Sequence, residues 1–161
     1  QRFQPNRESV HFEVRGAGHA ASQFNRAEGL SLSASGELFV ADSCNHRVQV
    51  FRTDGTFVRE FGRAGSGPGE FSYPYDVRVD QLGWRYICEF GNSRLTVLDA
   101  NGDLLELIGQ PGILPGEFNN PWSLALDSKG NLYVADSKNH RIQKFIRREQ
   151  AAEVQGSTLN F

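Results

Sequence analysis

The strongest constraint on the fold is a ten-residue segment that recurs along the chain at a fixed distance. It reads Asp-x-x-Asn-His-Arg at its start and occupies residues 42–51 and 136–145, with a diverged copy at residues 89–98. The motif arginines of successive copies are 47 residues apart. A constant spacing without insertions indicates a repeat architecture, in which each unit packs only on its neighbours.

Short strand patterns recur with the same spacing. Residues 10–14 alternate apolar and polar side chains, as a half-buried strand does. They lie 47 residues before residues 57–61, which lie 47 residues before residues 104–108. The other strands of the first unit are predicted at residues 30–32, 38–41 and 48–51, with equivalents in the next two units. Four short antiparallel strands in about 47 residues is the size of one β-propeller blade.

Each unit also carries a glycine at one tight turn and a phenylalanine at the end of a Gly-rich connection. The glycines are Gly36, Gly83 and Gly130, and the phenylalanines are Phe24, Phe71 and Phe118. Glycine adopts a positive φ at little cost, which such a turn requires. We expect the repeated aromatic ring to fill the gap between neighbouring units.

These segments resemble a known family. Residues 121–145 are similar to an NHL repeat and contain its Asn-His-Arg signature. Residues 28–51 are a second clear copy. Residues 73–98 are a diverged third copy, with Ser93 in place of the histidine and Glu89 in place of the aspartate.

The resemblance covers roughly residues 10–146. It implies an all-β fold with three four-stranded NHL-type blades, half of the six-bladed ring that most members form. We therefore expect propeller blades over residues 1–146 and a C-terminal tail or arm over residues 147–161. Members of the family include RNA-binding and protein-binding domains, a copper- and zinc-linked peptide lyase, and many exported bacterial proteins. The last group slightly favours an exported or periplasmic location.

An acidic residue precedes each motif arginine by five positions. The pairs are Asp42 with Arg47, Glu89 with Arg94, and Asp136 with Arg141. These pairs have two interpretations. They form either a ring of charges that binds a ligand or an ion pair that fixes a loop in every blade. The second interpretation is favoured, because a ligand site is usually built once whereas a structural device recurs in each repeat.

Composition and histidine spacing limit the chemistry. Lys+Arg 17 against Asp+Glu 19 gives a net charge of −2, so no overall positive field attracts nucleic acid. No apolar run reaches the ~18 residues of a membrane span. His46 and His140 are equivalent, but Ser93 interrupts the series and no Cys/His spacing is that of a zinc site. We expect neither a metal nor a cofactor. The Gly-rich residues 62–69 lack the Gly-Lys-Ser/Thr ending of a phosphate loop.

The two cysteines occupy different positions of their repeats. Cys88 is predicted in a buried strand and Cys44 in a more accessible loop, so free thiols are favoured over a disulfide. Methionine is absent from the sequence. We therefore interpret the chain as a processed mature form or a piece of a longer protein.

The leading functional interpretation is a non-enzymatic propeller that binds a protein or a small ligand through its connecting loops. Candidate contact residues are Arg15, Arg63, Tyr73 and Tyr75, whereas Trp122 is expected in the core. One alternative is a metal-dependent enzyme of the lyase or lactonase kind with its site in the propeller channel. Another is binding of single-stranded RNA, which the acidic residues among the connections disfavour.

The strand count predicts a partner. Residues 10–14 supply one strand that precedes the first full unit, and the last unit has only three clear strands. Two open blade faces would expose apolar side chains worth about 1.5–3 kcal/mol each. The ring is therefore expected to be completed by a second copy of the chain or by another polypeptide.

Overall fold

A computed structural model describes residues 13–14 and 16–147. In this part of the chain it contains β-strands and two single-turn 3-10 helices, Ser43–Asn45 and Ser137–Asn139, and no α-helix. The strands are β1 (Ala27–Leu32), β2 (Glu37–Asp42), β3 (Arg47–Arg52), β4 (Phe57–Phe61), β5 (Pro74–Val79), β6 (Arg85–Glu89), β7 (Arg94–Leu98), β8 (Leu104–Ile108), β9 (Pro121–Leu126), β10 (Leu132–Asp136) and β11 (Arg141–Phe145).

The strands form three antiparallel sheets, which we call blades 1, 2 and 3. Blade 1 has the order β1-β2-β3-β4, blade 2 has β5-β6-β7-β8, and blade 3 has β9-β10-β11. Strand β5 packs on β1 and β2, and β9 packs on β5 and β6, so the blades are stacked in chain order. The first strand of each blade is the inner strand, as in propeller folds. The all-β, propeller-type prediction is confirmed.

Two expectations lie at the edges of the described chain. Blade 3 shows three strands there rather than the four expected of each blade. The strand predicted at residues 10–14 falls mostly outside the described residues, and so does the tail expected over residues 147–161, apart from Arg147.

None of the helices in the described residues is long and apolar enough to cross a membrane.

The inner strands begin about three residues earlier than the sequence predicted. Strands β5 and β9 begin at Pro74 and Pro121, and proline is tolerated at the first residue of a strand. The pairing of each inner strand with the next strand is irregular near this end, for example between Pro74 and Asp76. The residues by which each inner strand starts earlier than predicted carry polar and aromatic side chains. These side chains lie at the end of the blade where the connections are found.

The hydrophobic core lies between the blades. One cluster joins Phe39 and Val48 of blade 1 to Val77 and Ile87 of blade 2, and includes the fully buried Phe71. A second cluster joins blade 2 to blade 3 in the same way, and Phe118 takes the place of Phe71. The prediction that these rings fill the gap between units is confirmed, and burial of each is worth about 1.5–3 kcal/mol.

Glycines make the connections possible. The predicted turn glycines Gly36, Gly83 and Gly130 have φ of 82°, 80° and 77°. At Gly62 the backbone approaches Phe71 so closely that an added Cβ would lie 2.4 Å from its ring. The connection therefore needs a residue without a side chain where it passes the buried ring.

Candidate binding face

One end of the three blades carries all the connections between them, and we call this surface the loop face. It comprises residues 62–73 and 109–120 between blades and the turns at residues 43–46, 90–93 and 137–140. Backbone hydrogen bonds tie each connection to a turn. Phe90 N–H donates to Tyr73 O at 3.0 Å, and Lys138 N–H donates to Asn119 O at 3.1 Å. Such bonds make these loops a fixed surface rather than free tethers.

A buried carboxylate lies beneath the loop face in blade 1. Asp42 is 0% exposed. Its Oδ1 accepts from the Asn25 N–H at 2.8 Å. Its Oδ2 accepts from Asn45 Nδ2, Arg47 Nε and Gln49 Nε2 at 2.9, 2.8 and 3.0 Å. Four donors saturate this carboxylate, so burial of its charge is compensated within the protein.

The other two blades repeat the arrangement. Glu89 accepts from Ser72 N–H, Asn92, Arg94 and Thr96, and Asp136 accepts from Asn119 N–H, Asn139, Arg141 and Gln143. All three predicted acid–arginine pairs are therefore in contact, each with its Nε–oxygen distance at 2.8 Å. Burial raises the pKa of Asp136, but these hydrogen bonds outweigh it and hold the pKa below its usual value.

The motif arginines also hold the connection that precedes their own blade. The remaining nitrogens of Arg47 donate to the carbonyl oxygens of His19, Ala20 and Gln23 at 2.8, 3.0 and 2.9 Å. Arg141 binds three backbone carbonyls of the 109–118 connection in the same manner. Each pair thus fixes a loop to a blade, which supports the structural interpretation of the pairs.

The signature histidine has a role that the sequence analysis missed. His46 Nδ1 accepts from the backbone N–H of Tyr73 in the next blade at 3.2 Å. In blade 2 the hydroxyl of Ser93 accepts from the N–H of Asn120 at 3.3 Å. Serine can therefore replace histidine here, because either side chain offers an acceptor to the following blade. The available signal was the spacing of 27 residues from each acceptor to its donor.

An aromatic cluster lies on the loop face between blades 2 and 3. The rings of Tyr75 and Phe90 are stacked at 4.3 Å, and Trp122 meets them edge-on at 4.8 and 5.8 Å. Trp122 is 44% exposed, so the expectation that it belongs to the core was wrong. Tyr75 is only 7% exposed, which makes it a support beneath Trp122 rather than a contact surface. Tyr75 and Trp122 each lie at the start of an inner strand. This position explains why Trp122 is exposed and why Tyr75 is covered by it.

The other predicted contact residues are partly assembled around this cluster. Tyr73 is 42% exposed, and its ring lies 4.5 Å from that of His46. The guanidinium of Arg26 lies 4.9 Å from the centroid of Tyr75 and pairs with Glu28. Both Arg26 and Tyr73 have a positive φ, of 66° and 48°, which an αL residue in a connection requires.

Two predicted residues do not join the aromatic cluster. Arg63 is exposed within the 62–73 connection and pairs with Glu70 at 3.1 Å. Backbone hydrogen bonds from Gly67 and Ser66, together with Arg63, lower the pKa of Glu70. These N–H groups already bind a carboxylate, so the Gly-rich connection is closed by its own side chain rather than prepared for phosphate. Arg15 lies outside the described residues.

A second polar group lies on the inner strands. Asp76 is buried and accepts from Ser123 Oγ at 2.7 Å and Leu124 N–H at 2.9 Å in blade 3. Arg78 pairs with Asp76 and donates to the carbonyl oxygens of Leu30 in blade 1 and Leu124 in blade 3. This pair joins all three inner strands. Sequence reasoning missed it, because its equivalents Gly29 and Ser123 show no repeated charge.

Other candidate chemistry is limited in the part of the chain that the structure describes. There, no group of three or more His, Cys, Asp or Glu residues is arranged to hold a metal ion. Cys44 is half-buried in the 3-10 turn and Cys88 is buried in β6, and both thiols are free. This agrees with their predicted difference in environment.

The stacked antiparallel sheets, two of four strands and one of three in the described residues, define a protein built of β-propeller blades. The chain contains NHL repeats, and the sequence pattern of that family matches residues 24–51 and 118–145. It is 37% identical over 57 residues to Protein brain tumor of Drosophila melanogaster, which covers 35% of this chain and 6% of that protein. It is 44% identical over 48 residues to RING finger protein nhl-1 of Caenorhabditis elegans, which covers 30% and 5%.

Solved structures share the fold at low sequence identity. A streptogramin B lyase superposes with a TM-score of 0.59 at 17% identity, over 74% of this chain and 37% of that one. A gluconolactonase from Xanthomonas campestris gives 0.51 at 19% identity, over 70% and 35%. The chain thus spans well under half of these structures and a small part of the curated relatives. The likeness establishes the propeller fold alone.

Proposed function

We propose that this chain is a non-enzymatic binding module whose loop face recognises a protein or a small ligand. The observation that carries the proposal is the exposure of Tyr73 and Trp122 on the loop face, whose connections are held in place by the buried acid–arginine networks. A rigid scaffold that displays exposed aromatic residues on its loops is a common design for recognition.

The chemistry of this surface suits a protein segment better than a polyanion. Tyrosine, tryptophan and arginine are enriched at the energetic centres of protein interfaces. Here Tyr73 and Trp122 offer flat apolar area, while the Arg26–Glu28 pair and Arg63 offer hydrogen bonds. The acidic partners Glu28 and Glu70 neutralise these arginines, which disfavours nucleic acid as the ligand.

The buried carboxylates favour binding over catalysis. A general acid or base needs a proton-accepting oxygen within reach of a substrate. Asp42, Glu89 and Asp136 are fully buried and each accepts four hydrogen bonds inside the protein. They act as anchors for the loops that carry the exposed rings.

A partner that completes the ring is part of the same proposal. The open blade faces expected from the sequence would be covered by a second copy of the chain or by another polypeptide. Blades 1 and 2 show what such contacts bury, since their shared cluster includes the fully buried Phe71, Val77 and Ile87.

The test is peptide selection by phage display against the folded chain, followed by affinity measurement on two variants. Tyr73→Ala and Trp122→Ala should each weaken the selected peptides about tenfold or more, as expected for anchor residues. Leu82→Ala is the matched control, since Leu82 is exposed but lies in the β5–β6 turn away from the loop face. Equal affinities for all three variants would refute the assignment of the loop face.

The same preparations discriminate the two alternatives. Elemental analysis for copper and zinc, with a lactone-hydrolysis assay, tests the lyase or lactonase alternative. Fluorescence anisotropy with a 20-nucleotide oligouridine across a salt series tests RNA binding, whose affinity should fall steeply with salt. Bound metal with turnover, or a steep salt dependence lost in Trp122→Ala, would replace the proposal.

A further inference from the structure

Two arginines depart from the repeat pattern where blade 1 meets blade 2. Arg85 begins β6, and the equivalent residues of the other blades are Leu38 and Leu132. Arg59 lies on β4 of blade 1, and its equivalent in blade 2 is Glu106. A structural device recurs in each repeat, whereas a ligand site is usually built once. This pair of arginines is therefore a candidate for a site rather than for a repeated support.

Arg85 is buried without a carboxylate partner. It is 8% exposed, close to the 6% of Arg47, the other buried arginine among the described residues. Arg47 forms ion pairs with Asp42 and Glu60, whereas no carboxylate in the described part of the chain pairs with Arg85. Burial and the charge of Arg59 both disfavour the charged form, so they lower the pKa of Arg85. A buried guanidinium in this state gains from an anion that reaches it.

The hydrogen bonds of Arg85 are also incomplete. Its Nη2 donates to Ala100 O at 2.8 Å. Its buried Nε has no acceptor among the described residues, and none of them accepts from Nη1. Gly102 has φ 100°, and a Cβ added there would lie 3.2 Å from Nη1. The glycine therefore leaves this nitrogen uncovered on the side of the β7–β8 turn.

Aromatic rings orient the guanidinium of Arg85 while leaving its donors available. It lies 5.6 Å from the ring centroid of Phe39 and 5.4 Å from that of Phe61. A cation over the face of a ring is attracted without using an N–H acceptor. Arg59 also lies over Phe39, at 5.7 Å, but both of its Nη atoms donate to the carboxylate of Glu37. Arg59 is thus compensated, and Arg85 is the arginine that remains without a counter-ion.

A cavity of about 340 Å³ lies beside these arginines, and we call it the crevice site. It is lined by Arg59, Phe61, Arg85 and residues 100–102. The crevice site lies at the end of the blades opposite the loop face, because β6 begins there and the turn at residues 99–103 joins β7 to β8 there. Its volume is at the lower end of the roughly 300–1,000 Å³ of small-molecule sites.

We propose that the crevice site binds the carboxylate of a small organic acid. The guanidinium of Arg85 donates to the carboxylate, and the apolar body of the acid lies against the Phe61 ring. Arginine suits this ligand, because its planar fork of N–H donors matches the two oxygens of a carboxylate. The crevice site is separate from the loop face, so this inference goes beyond the proposed function and does not rest on it.

The charges around the crevice site favour a single carboxylate over phosphate. Glu37 compensates Arg59, and Asp99 offsets part of the charge of Arg85 without pairing with it. The Asp99 carboxylate accepts from three backbone N–H groups of its own turn. One further negative charge balances Arg85, whereas a dianion would be repelled by the two acidic residues.

The test is titration of the wild-type chain with sodium benzoate, followed by ¹H–¹⁵N NMR of the arginine Nε–H groups. The Nε–H of Arg85 is buried, so it exchanges slowly with water and gives a signal that should shift to saturation. Benzoate combines a carboxylate with a flat apolar ring that fits against Phe61.

Variants of Arg85 locate the binding. Arg85→Leu introduces the residue that blades 1 and 3 carry at this position, so we expect it to fold, which circular dichroism verifies. It should weaken benzoate binding about tenfold or more, as loss of a hydrogen bond to a charged group does. The amide signals of residues 100–102 report binding in the variants. Arg52→Leu is the matched control, because it removes the same charge from an exposed residue at the same end of blade 1.

Further arms test the donor geometry and the class of ligand. Arg85→Lys keeps the positive charge but not the forked donors, so it should also weaken binding, and it tests the site even where Arg85→Leu does not fold. Sodium acetate should bind more weakly than benzoate, because it has no ring to lie against Phe61. Inorganic phosphate should bind more weakly than acetate.

Three outcomes would overturn the inference. They are no saturable shift of the Arg85 Nε–H at tens of millimolar benzoate, equal benzoate affinity of the wild type and the folded Arg85 variants, and tighter binding of phosphate than of either carboxylate. None of them depends on the peptides selected for the loop face. Arg85→Leu should bind those peptides as the wild type does, so failure of the crevice site and failure of the loop-face assignment are separate results.

Discussion

Replacement of Arg47 by alanine tests whether the repeated ion pair is a structural device. The substitution removes the Nε donor from the fully buried Asp42 and three hydrogen bonds to the carbonyl oxygens of the preceding connection. The Arg47 side chain is 8% exposed, so water cannot easily take its place. The variant therefore leaves a buried carboxylate with its charge uncompensated.

The expected cost follows from what Asp42 keeps. Breaking a buried ion pair by removal of one partner typically costs about 3–5 kcal/mol. Asp42 retains donors in Asn25, Asn45 and Gln49, which places the cost near the lower end, at about 3 kcal/mol. For a chain of 161 residues this lowers Tm by roughly 6–12 °C. Arg141→Ala should cost less, because the Arg141 side chain is 27% exposed.

The assay is urea denaturation and thermal melting followed by circular dichroism. Arg52→Ala is the matched control, since Arg52 ends the same strand but is exposed. The double variant Arg47→Ala with Asp42→Asn should lose less stability than the two single losses added together, because neither partner is left charged alone. Melting of Arg47→Ala within about 2 °C of the wild type would refute the structural interpretation.

Two further predictions concern titratable groups. Thiol labelling of the folded chain should modify Cys44 first, because burial raises the pKa of Cys88 well above its usual value and keeps it as an inaccessible thiol; faster labelling of Cys88, measured by peptide mass mapping, would contradict this. The hydrogen bonds from Asn131 lower the pKa of Asp127 to about 2, so stability that is present above the ordinary carboxyl pKa of about 4 is lost as the pH falls toward 2. Asp127→Asn should show a smaller loss of unfolding free energy between pH 5 and pH 2.5 than the wild type, and an equal loss would contradict the assignment.

Regular features of the fold were readable from the sequence because each is repeated. The spacing of 47 residues predicted the outer strands Phe57–Phe61 and Leu104–Ile108 at the bounds observed. It also predicted the buried Phe71 and Phe118 between blades. A pattern that recurs in three units can be recognised even when one copy has diverged in sequence, because the other two copies show which positions matter.

Features that occur once were not readable. Trp122 was expected in the core because it is in register with Tyr75 and Glu28, but its place at the start of β9 brings it to the loop face. The contact of His46 with the Tyr73 N–H was missed although Ser93 and Asn120 repeat its spacing of 27 residues, because the donor is a backbone group that any residue there could supply. The cluster of Tyr75 with Phe90 depends on how two blades meet, and spacing along the chain does not encode that geometry.

The pair formed by Asp76 and Arg78 has a consequence for the modularity of this chain. Repeats that contact only their neighbours are, in principle, interchangeable units. Here the middle unit reaches the inner strands on both sides of it, and its counterparts carry Gly29 and Ser31 or Ser123 and Ala125 at the same positions. Moving the middle unit to either end of the stack would leave the guanidinium with a carbonyl acceptor on one side only. A single arginine therefore distinguishes the middle position of this stack from the two positions beside it.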